Sequence, residues 1–130
     1  MRVYRLFFVV LVFALVYAAG CSNNMEKDSA KGKDITVQEL KDKMKTDTSL
    51  VVLDVRTPEE LAGPLGKIDG AVNIPLDQLE SRIGEVKNLK GKDIAVICRT
   101  GHRSQKAQGI LEKHGIETLN VLGGMTGYRK

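Results

Sequence analysis

The residue best suited to chemistry is Cys98, which follows the apolar run Ile94–Ile97 and opens the segment Cys-Arg-Thr-Gly-His-Arg-Ser at positions 98–104. Apolar residues at helical spacing follow this segment. Backbone N–H groups of a tight loop that enters a helix point toward a common centre and stabilise an anion there. Such an environment lowers a cysteine pKa from about 8.5 to about 3.5–7.5. We therefore predict that Cys98 is a thiolate nucleophile at neutral pH.

The rest of the segment fits an anion-binding loop. Gly101 can adopt backbone angles that are unfavourable for residues with a Cβ atom. Arg99 and Arg103 offer planar, permanently charged donors to an oxyanion, or one of them pairs with a carboxylate instead. Thr100 adds a hydroxyl near the sulfur, and His102 titrates near neutrality, hydrogen-bonds the substrate or, as for most histidines on exposed loops, does neither. The predicted substrate-binding loop consists of Arg99, Thr100, Gly101, His102, Arg103 and Ser104.

Cys98 has a simpler interpretation as an inert core thiol, which is a common fate of a free cysteine. A core cysteine needs neither two arginines nor a glycine turn beside it, so the catalytic interpretation is favoured. Asp54 and Arg56 follow a second apolar run, Leu50–Leu53. Because charges at the end of a buried strand need partners, we expect these two residues to support the site as an ion pair or loop brace.

The elements that position these residues alternate between strands and helices. Predicted strands are Leu50–Leu53, Ala71–Ile74, Ile94–Ile97 and Thr118–Leu122. Predicted helices begin at the capping box Thr36–Glu39, at Pro58, at Leu76 with a stripe reaching Val86, after the Cys98 loop, and at Met125. This order predicts an α/β fold, with a small, mostly parallel sheet and helices on both faces. Asp54 and Cys98 then converge beyond the carboxyl ends of the strands.

The N-terminal segment has the pattern of an export signal. Two arginines precede an apolar run of fourteen residues, Leu6–Ala19, which is short for a membrane span of about twenty. Ala18-Ala19-Gly20-Cys21 resembles a bacterial lipobox, although plain secretory cleavage nearby is the alternative. We predict a signal peptide over residues 1–20, lipidation of Cys21, a polar tether over residues 21–34 and a folded domain over residues 35–130. The protein is then exported and anchored to a membrane, facing the periplasm or the cell exterior.

The overall charge gives no indication of a nucleic-acid partner, and we expect none. The formal net charge is +4, and loss of Arg2 and Arg5 with the signal peptide leaves 18 basic and 16 acidic residues. A surplus of this size is too small to indicate a polyanion-binding surface.

From Ile35 to Tyr128 the chain resembles the rhodanese family. The resemblance rests on four stretches: Leu53–Glu60, Gly70–Pro75, the Cys98 loop and Gly123-Gly124-Met125. It implies a rhodanese-like fold and a thiosulfate sulfurtransferase-like activity in which Cys98 carries a persulfide. The implied partners are a small anionic sulfur donor and a cyanide or thiol acceptor, with no metal or other cofactor, and we expect a monomer.

Two other functions remain open at this point. One is a non-catalytic sulfur carrier or binding module that receives a persulfide and passes it on. The other is a phosphatase or arsenate-reductase-like enzyme, which in related folds uses a cysteine, five intervening residues and an arginine. Here Ser104 occupies the position of that arginine, and Arg103 comes one residue too early.

Overall fold

The computed structural model describes residues 32–89 and 92–130. The strands are β1 (Lys33–Ile35), β2 (Val51–Asp54), β3 (Val72–Asn73), β4 (Ile94–Ile97) and β5 (Leu119–Val121). The α-helices are α1 (Val37–Thr46), α2 (Pro58–Ala62), α3 (Ile83–Lys87), α4 (His102–Lys113) and α5 (Gly124–Tyr128), and a 3₁₀ turn covers Leu76–Gln78. The capping box predicted at α1 is present, since Thr36 and Glu39 exchange side-chain and backbone hydrogen bonds.

The five strands form one sheet in the order β1-β5-β4-β2-β3, and every neighbouring pair is parallel. Central strand β4 is buried along its whole length and pairs with β2 from Val51↔Ile94 to Asp54↔Ile97. Asp54 and Cys98 therefore lie side by side where adjacent strands end, at what we call the carboxyl end of the sheet. The α/β fold and the parallel sheet predicted from the sequence are confirmed.

Helices cover both faces of the sheet and form two apolar clusters. One cluster joins Leu53, Val96 and Cys98 to the buried side of α4, where Ala107 and Leu111 lie. The other joins Val52 and Ile97 to α1 and α5 through residues such as Leu40 and Met125. Because side chains alternate along a strand, successive residues of β2 and β4 contribute to opposite clusters.

Two expectations about the elements were wrong. Lys33 and Asp34, assigned to a tether, belong to β1, which pairs with β5 at the edge of the sheet, so the folded domain begins before residue 35. The single helix expected from Leu76 to Val86 is a 3₁₀ turn followed by the short helix α3. Apolar residues three positions apart, such as Leu76 and Leu79, also fit the three-residue period of a 3₁₀ turn.

The predicted signal peptide and the lipidation site Cys21 lie outside the described residues. Among the residues that are described, no helix has the length and apolar character needed to cross a membrane.

Candidate active site

The Cys98 loop connects β4 to α4. Cys98 follows the last residue of β4, and Gly101 is the N-cap of α4 with a φ of 108°, in the region that favours glycine. The helix then begins at His102, so Arg103 and Ser104 lie in its first turn. This reversal of direction turns the backbone N–H groups of the loop toward the Cys98 sulfur.

The sulfur is buried within this ring of donors. Cys98 is 1% exposed, and its Sγ accepts a hydrogen bond of 3.1 Å from the Gly101 N–H. Burial raises the pKa of Cys98, but hydrogen bonds from the Ser104 hydroxyl and from the N–H groups of Ser104, Gly101 and Thr100 lower it by more. The net result is a pKa below the usual cysteine value, so the loop favours a thiolate.

Helix α5 holds the loop from behind. The N–H of Met125 donates to the Cys98 carbonyl at 2.8 Å, and the N–H of Thr126 donates to the Arg99 carbonyl at 3.0 Å. Gly124 makes this approach possible, because a Cβ atom there would lie 2.5 Å from the Cys98 carbonyl oxygen. Because these two carbonyl groups point toward α5, the N–H groups of the loop remain available to hydrogen-bond the sulfur.

Asp54 and Arg56 form a buried ion pair beside the loop. The Arg56 Nη2 lies 2.7 Å from the Asp54 carboxylate, and both side chains are 1% exposed. Arg56 Nη2 also donates to the Gly66 carbonyl at 2.8 Å. Both residues thus brace the chain after β2, and their charged groups are occupied by each other and by backbone carbonyls.

The two loop arginines have different surroundings. Arg103 makes two 2.6 Å hydrogen bonds to the Glu60 carboxylate of α2. These hydrogen bonds are the largest cause that lowers the pKa of Glu60 to about 2. The Thr57 N–H and the charges of Arg103 and Arg56 lower it further. Arg99 is exposed, and within residues 32–89 and 92–130 no ion pair or side-chain hydrogen bond engages it. It lines an open pocket of about 290 Å³ together with Pro64 and Leu65.

Thr100 and His102 lie at the outer side of the loop. The Thr100 hydroxyl and the His102 Nδ1 are 3.3 Å apart, and both side chains are exposed. They line a small pocket of about 150 Å³ with Asn120 and Leu122. His102 therefore does not contact the sulfur directly.

Sequence reasoning missed three residues that contact or hold the site. Glu60 and Gly124 were named only within stretches that carry the family resemblance, without a role at the site, and Asn120 was not singled out. Asn120 is 2% exposed and accepts a 2.7 Å hydrogen bond from the Ser104 hydroxyl. A polar residue in the middle of the short apolar stretch Thr118–Leu122 was the only available signal for it.

No group of three or more His, Cys, Asp or Glu side chains is placed to bind a metal ion within the described part of the chain. The chemistry that the described residues offer is that of one activated thiol in an anion-binding loop.

Comparison with known proteins relates the chain to proteins of sulfur transfer. Residues 36–130 match the family described as "Rhodanese-like domain". The putative sulfurtransferase YtwF of Bacillus subtilis is 37% identical over 93 residues, which cover 72% of this chain and 86% of that protein. The putative sulfur carrier protein YrkF of the same organism is also 37% identical over 93 residues, 71% of this chain but 48% of that protein. A crystal structure of a rhodanese-like domain protein from Staphylococcus aureus superimposes with a TM-score of 0.67 at 36% identity, covering 74% of this chain and 90% of that one.

Proposed function

Because the chain belongs to the rhodanese-like domain family, we propose that it is a sulfurtransferase which carries sulfane sulfur as a persulfide on Cys98. The observation that carries this proposal is the Cys98 sulfur itself, buried among inward-facing N–H groups that lower its pKa. The same donors suit the terminal sulfur of a persulfide, which is also an anion at neutral pH.

In the first step, the Cys98 thiolate attacks the outer sulfur of thiosulfate. A new S–S bond forms at Cys98, the S–S bond of thiosulfate breaks, and sulfite leaves with the bonding electron pair. One thiolate and one thiosulfate dianion become one persulfide anion and one sulfite dianion, so charge is conserved without a redox partner.

In the second step, an acceptor removes the outer sulfur. Cyanide or a thiolate attacks that sulfur, and the electron pair of the breaking bond returns to Cys98 as a thiolate. The products are thiocyanate or a new persulfide. The acceptor must come from outside the domain, because Cys98 is the single free cysteine of the described residues.

The arginines contribute in different ways to this proposal. Arg99 is exposed at the pocket beside the loop and is placed to attract the sulfonate end of the donor. Arg103 is held by Glu60 and supports the loop from the side of α2. The pairing of Arg103 also weighs against the phosphatase alternative, which needs an arginine directed at the bound oxyanion.

The proposal is tested with the purified chain, thiosulfate and cyanide. We expect thiocyanate formation by the parent protein and its complete loss in Cys98→Ser, which has no thiolate. After thiosulfate treatment alone, peptide mass spectrometry should find one added sulfur atom on the Cys98 peptide.

A sulfur-carrier function is a second candidate, favoured by the name of the relative YrkF. In that case Cys98 gains a sulfur from a persulfide donor, but the protein forms no thiocyanate from thiosulfate and cyanide. Hydrolysis of an aryl phosphate that depends on Cys98 would instead favour the phosphatase alternative. Absence of any added sulfur on Cys98 with every donor would refute both sulfur functions.

We also propose that the protein is exported and anchored through lipidated Cys21. The support is the apolar run Leu6–Ala19 and the small residues before Cys21. In a bacterial host, we expect mass spectrometry of the mature N-terminus to find diacylglyceryl-modified Cys21, and Cys21→Ser to release the protein from membranes. An unmodified N-terminus at another position would show plain secretory cleavage instead.

A further inference from the structure

A row of polar side chains leads from the surface to the Cys98 sulfur. Asp34 of β1 pairs with Asn120 of β5 in the sheet, and Asn120 pairs with Val96 of β4. Side chains at paired positions lie on one face of a sheet, which here is the face covered by α4. Ser104, in the first turn of α4, lies between Asn120 and Cys98 and is completely buried.

The hydrogen bonds define the orientation of the Asn120 amide. Its Nδ2 donates to the Asp34 carboxylate at 2.8 Å, and its Oδ1 accepts from the Ser104 hydroxyl at 2.7 Å. A carboxylate can only accept, so Asp34 selects the orientation in which the amide oxygen is directed at Ser104.

Ser104 has more acceptors around it than it can serve. Its oxygen lies 2.7 Å from Asn120 Oδ1, 3.0 Å from the Gly101 carbonyl and 3.5 Å from the Cys98 sulfur. A serine hydroxyl carries one proton and can donate one hydrogen bond at a time. When Cys98 is a thiol, its S–H can donate to Ser104 while Ser104 donates to Asn120. When the sulfur is negatively charged, it competes with Asn120 for the Ser104 proton.

We propose that Asn120 is a positioning residue for Cys98. Asn120 Oδ1 accepts the hydrogen bond of the Ser104 hydroxyl while the sulfur is neutral, and the sulfur accepts that hydrogen bond once it becomes an anion. Asp34 sets this competition by fixing the amide oxygen toward Ser104. The strand pair β1–β5 thereby moderates how readily the sulfur ionises, in addition to the N–H groups of the loop.

Charged groups from other elements also act on the sulfur, so the test must separate them. Arg103 and Arg99 belong to the same loop and helix, and Glu60 of α2 pairs with Arg103. On the β2 side lies the Asp54–Arg56 pair, and His102 lies at the outer side of the loop. None of these groups hydrogen-bonds Asn120 or Asp34 in the described residues, so changing Asp34 leaves those contacts in place.

The test compares Asp34→Ala with Asp34→Asn in the full chain. Both variants remove the same negative charge, and Asp34 is exposed on an edge strand, so both should fold. Asparagine keeps an oxygen that can accept from Asn120 Nδ2, so the original orientation of the Asn120 amide retains its partner in Asp34→Asn and loses it in Asp34→Ala. In Asp34→Ala the amide is free to turn and donate to Ser104, which leaves the Gly101 carbonyl as the one remaining competitor of the sulfur for the Ser104 proton among the contacts of the described residues.

The measurement is the pH dependence of iodoacetamide alkylation at Cys98, followed by peptide mass spectrometry so that Cys21 does not interfere. Below the pKa of Cys98, we expect alkylation in Asp34→Ala to be about three- to tenfold faster than in Asp34→Asn, the range that one hydrogen bond produces. In a Ser104→Ala background the two variants should react equally. Equal rates with Ser104 present, or a difference that persists without it, would overturn the inference.

This inference rests on the proposed function only in taking Cys98 as the reacting group. The alkylation experiment contains neither sulfur donor nor acceptor, so its outcome is independent of sulfur transfer. If the titration behaves as expected and no persulfide forms, the proposed function fails and the role of Asn120 stands.

Discussion

At the residue scale, the Arg103–Glu60 pair connects the Cys98 loop to α2. The two side chains are 34% and 27% exposed, and two parallel hydrogen bonds join them. Bidentate pairs of this kind are stronger and more restrictive in geometry than single contacts. Partial exposure reduces the electrostatic contribution, so the pair stabilises the fold less than a fully buried pair of the same geometry would.

We predict that Glu60→Gln lowers the free energy of unfolding by about 1 kcal/mol at pH 7, after allowance for solvent screening. The folded state lowers the Glu60 pKa from 4.5 to about 2, so this carboxylate stabilises the fold above pH 4.5. That contribution is lost as the pH falls toward 2, where wild type and variant should converge. Urea unfolding at several pH values measures the difference.

Glu59→Gln is the matched control, because Glu59 is the neighbouring residue of α2 and has no partner in the Cys98 loop among the described residues. A loss in Glu59→Gln equal to that in Glu60→Gln would contradict the role given to the ion pair.

The sequence was informative about individual residues where the chemistry is local. Cys98, the two arginines and Gly101 are close together in the chain, so a loop around the sulfur could be predicted from their types alone. Which side chains pair with each other, in contrast, depends on the tertiary structure. The sequence left open which arginine would pair with a carboxylate, and it offered no reason to connect Asn120 with Ser104 across sixteen positions.

At the scale of elements, the contact between α5 and the Cys98 loop depends on Gly124. Its φ is +52°, and a Cβ atom there would lie 2.5 Å from the Cys98 carbonyl oxygen and 2.7 Å from the Arg99 carbonyl oxygen. Both obstacles are backbone atoms, so they cannot move without moving the loop. The glycine is therefore required by the packing of two elements as well as by its own backbone angle.

We predict that Gly124→Ala lowers the free energy of unfolding by about 2 kcal/mol or more and slows alkylation of Cys98 at pH 7. Displacement of α5 removes the hydrogen bonds that hold the Cys98 and Arg99 carbonyls, and the loop N–H groups then lose their alignment. Urea unfolding and peptide-resolved alkylation measure the two effects.

Gly109→Ala in α4 serves as the control, since a Cβ atom added at Gly109 would meet no described atom within 4 Å outside the backbone of its own helix. Alanine in a helix interior should stabilise the protein by about 0.5–1 kcal/mol. Unchanged stability and Cys98 reactivity in Gly124→Ala would refute the requirement for close approach.

The elements that the sequence failed to predict are short or lie at the sheet edge. Lys33 and Asp34 are exposed and only Ile35 is buried, so β1 shows almost no apolar pattern before its partner β5 is known. Charged residues on an edge strand are common because they discourage pairing with other chains. The strand runs at Leu50–Leu53 and Ile94–Ile97 were predictable because burial on both faces makes them continuously apolar.

At the scale of the whole molecule, the parallel direction of all five strands brings every part of the site to the carboxyl end of the sheet. Cys98 follows β4, the Asp54–Arg56 pair lies at the end of β2, and Gly124 follows β5. The alternation of strands and helices predicted this convergence, and the family relationship extends over residues 36–130. Which residues lie next to each other at that end depends on the order of the strands in the sheet, and no local sequence pattern specifies that order.

The direction of β1 determines how the domain is presented to its surroundings. β1 runs parallel to β5, so Lys33 lies at the end of the sheet where the strands begin, opposite the carboxyl end. The Gly32 N–H donates to Glu112 near the C-terminus of α4. Gly32, the first described residue, thus lies on the side of the domain opposite Cys98. If Cys21 is lipidated as proposed, the attachment joins the domain on the side away from the Cys98 loop, so the point of attachment does not compete with donors and acceptors for access to the sulfur.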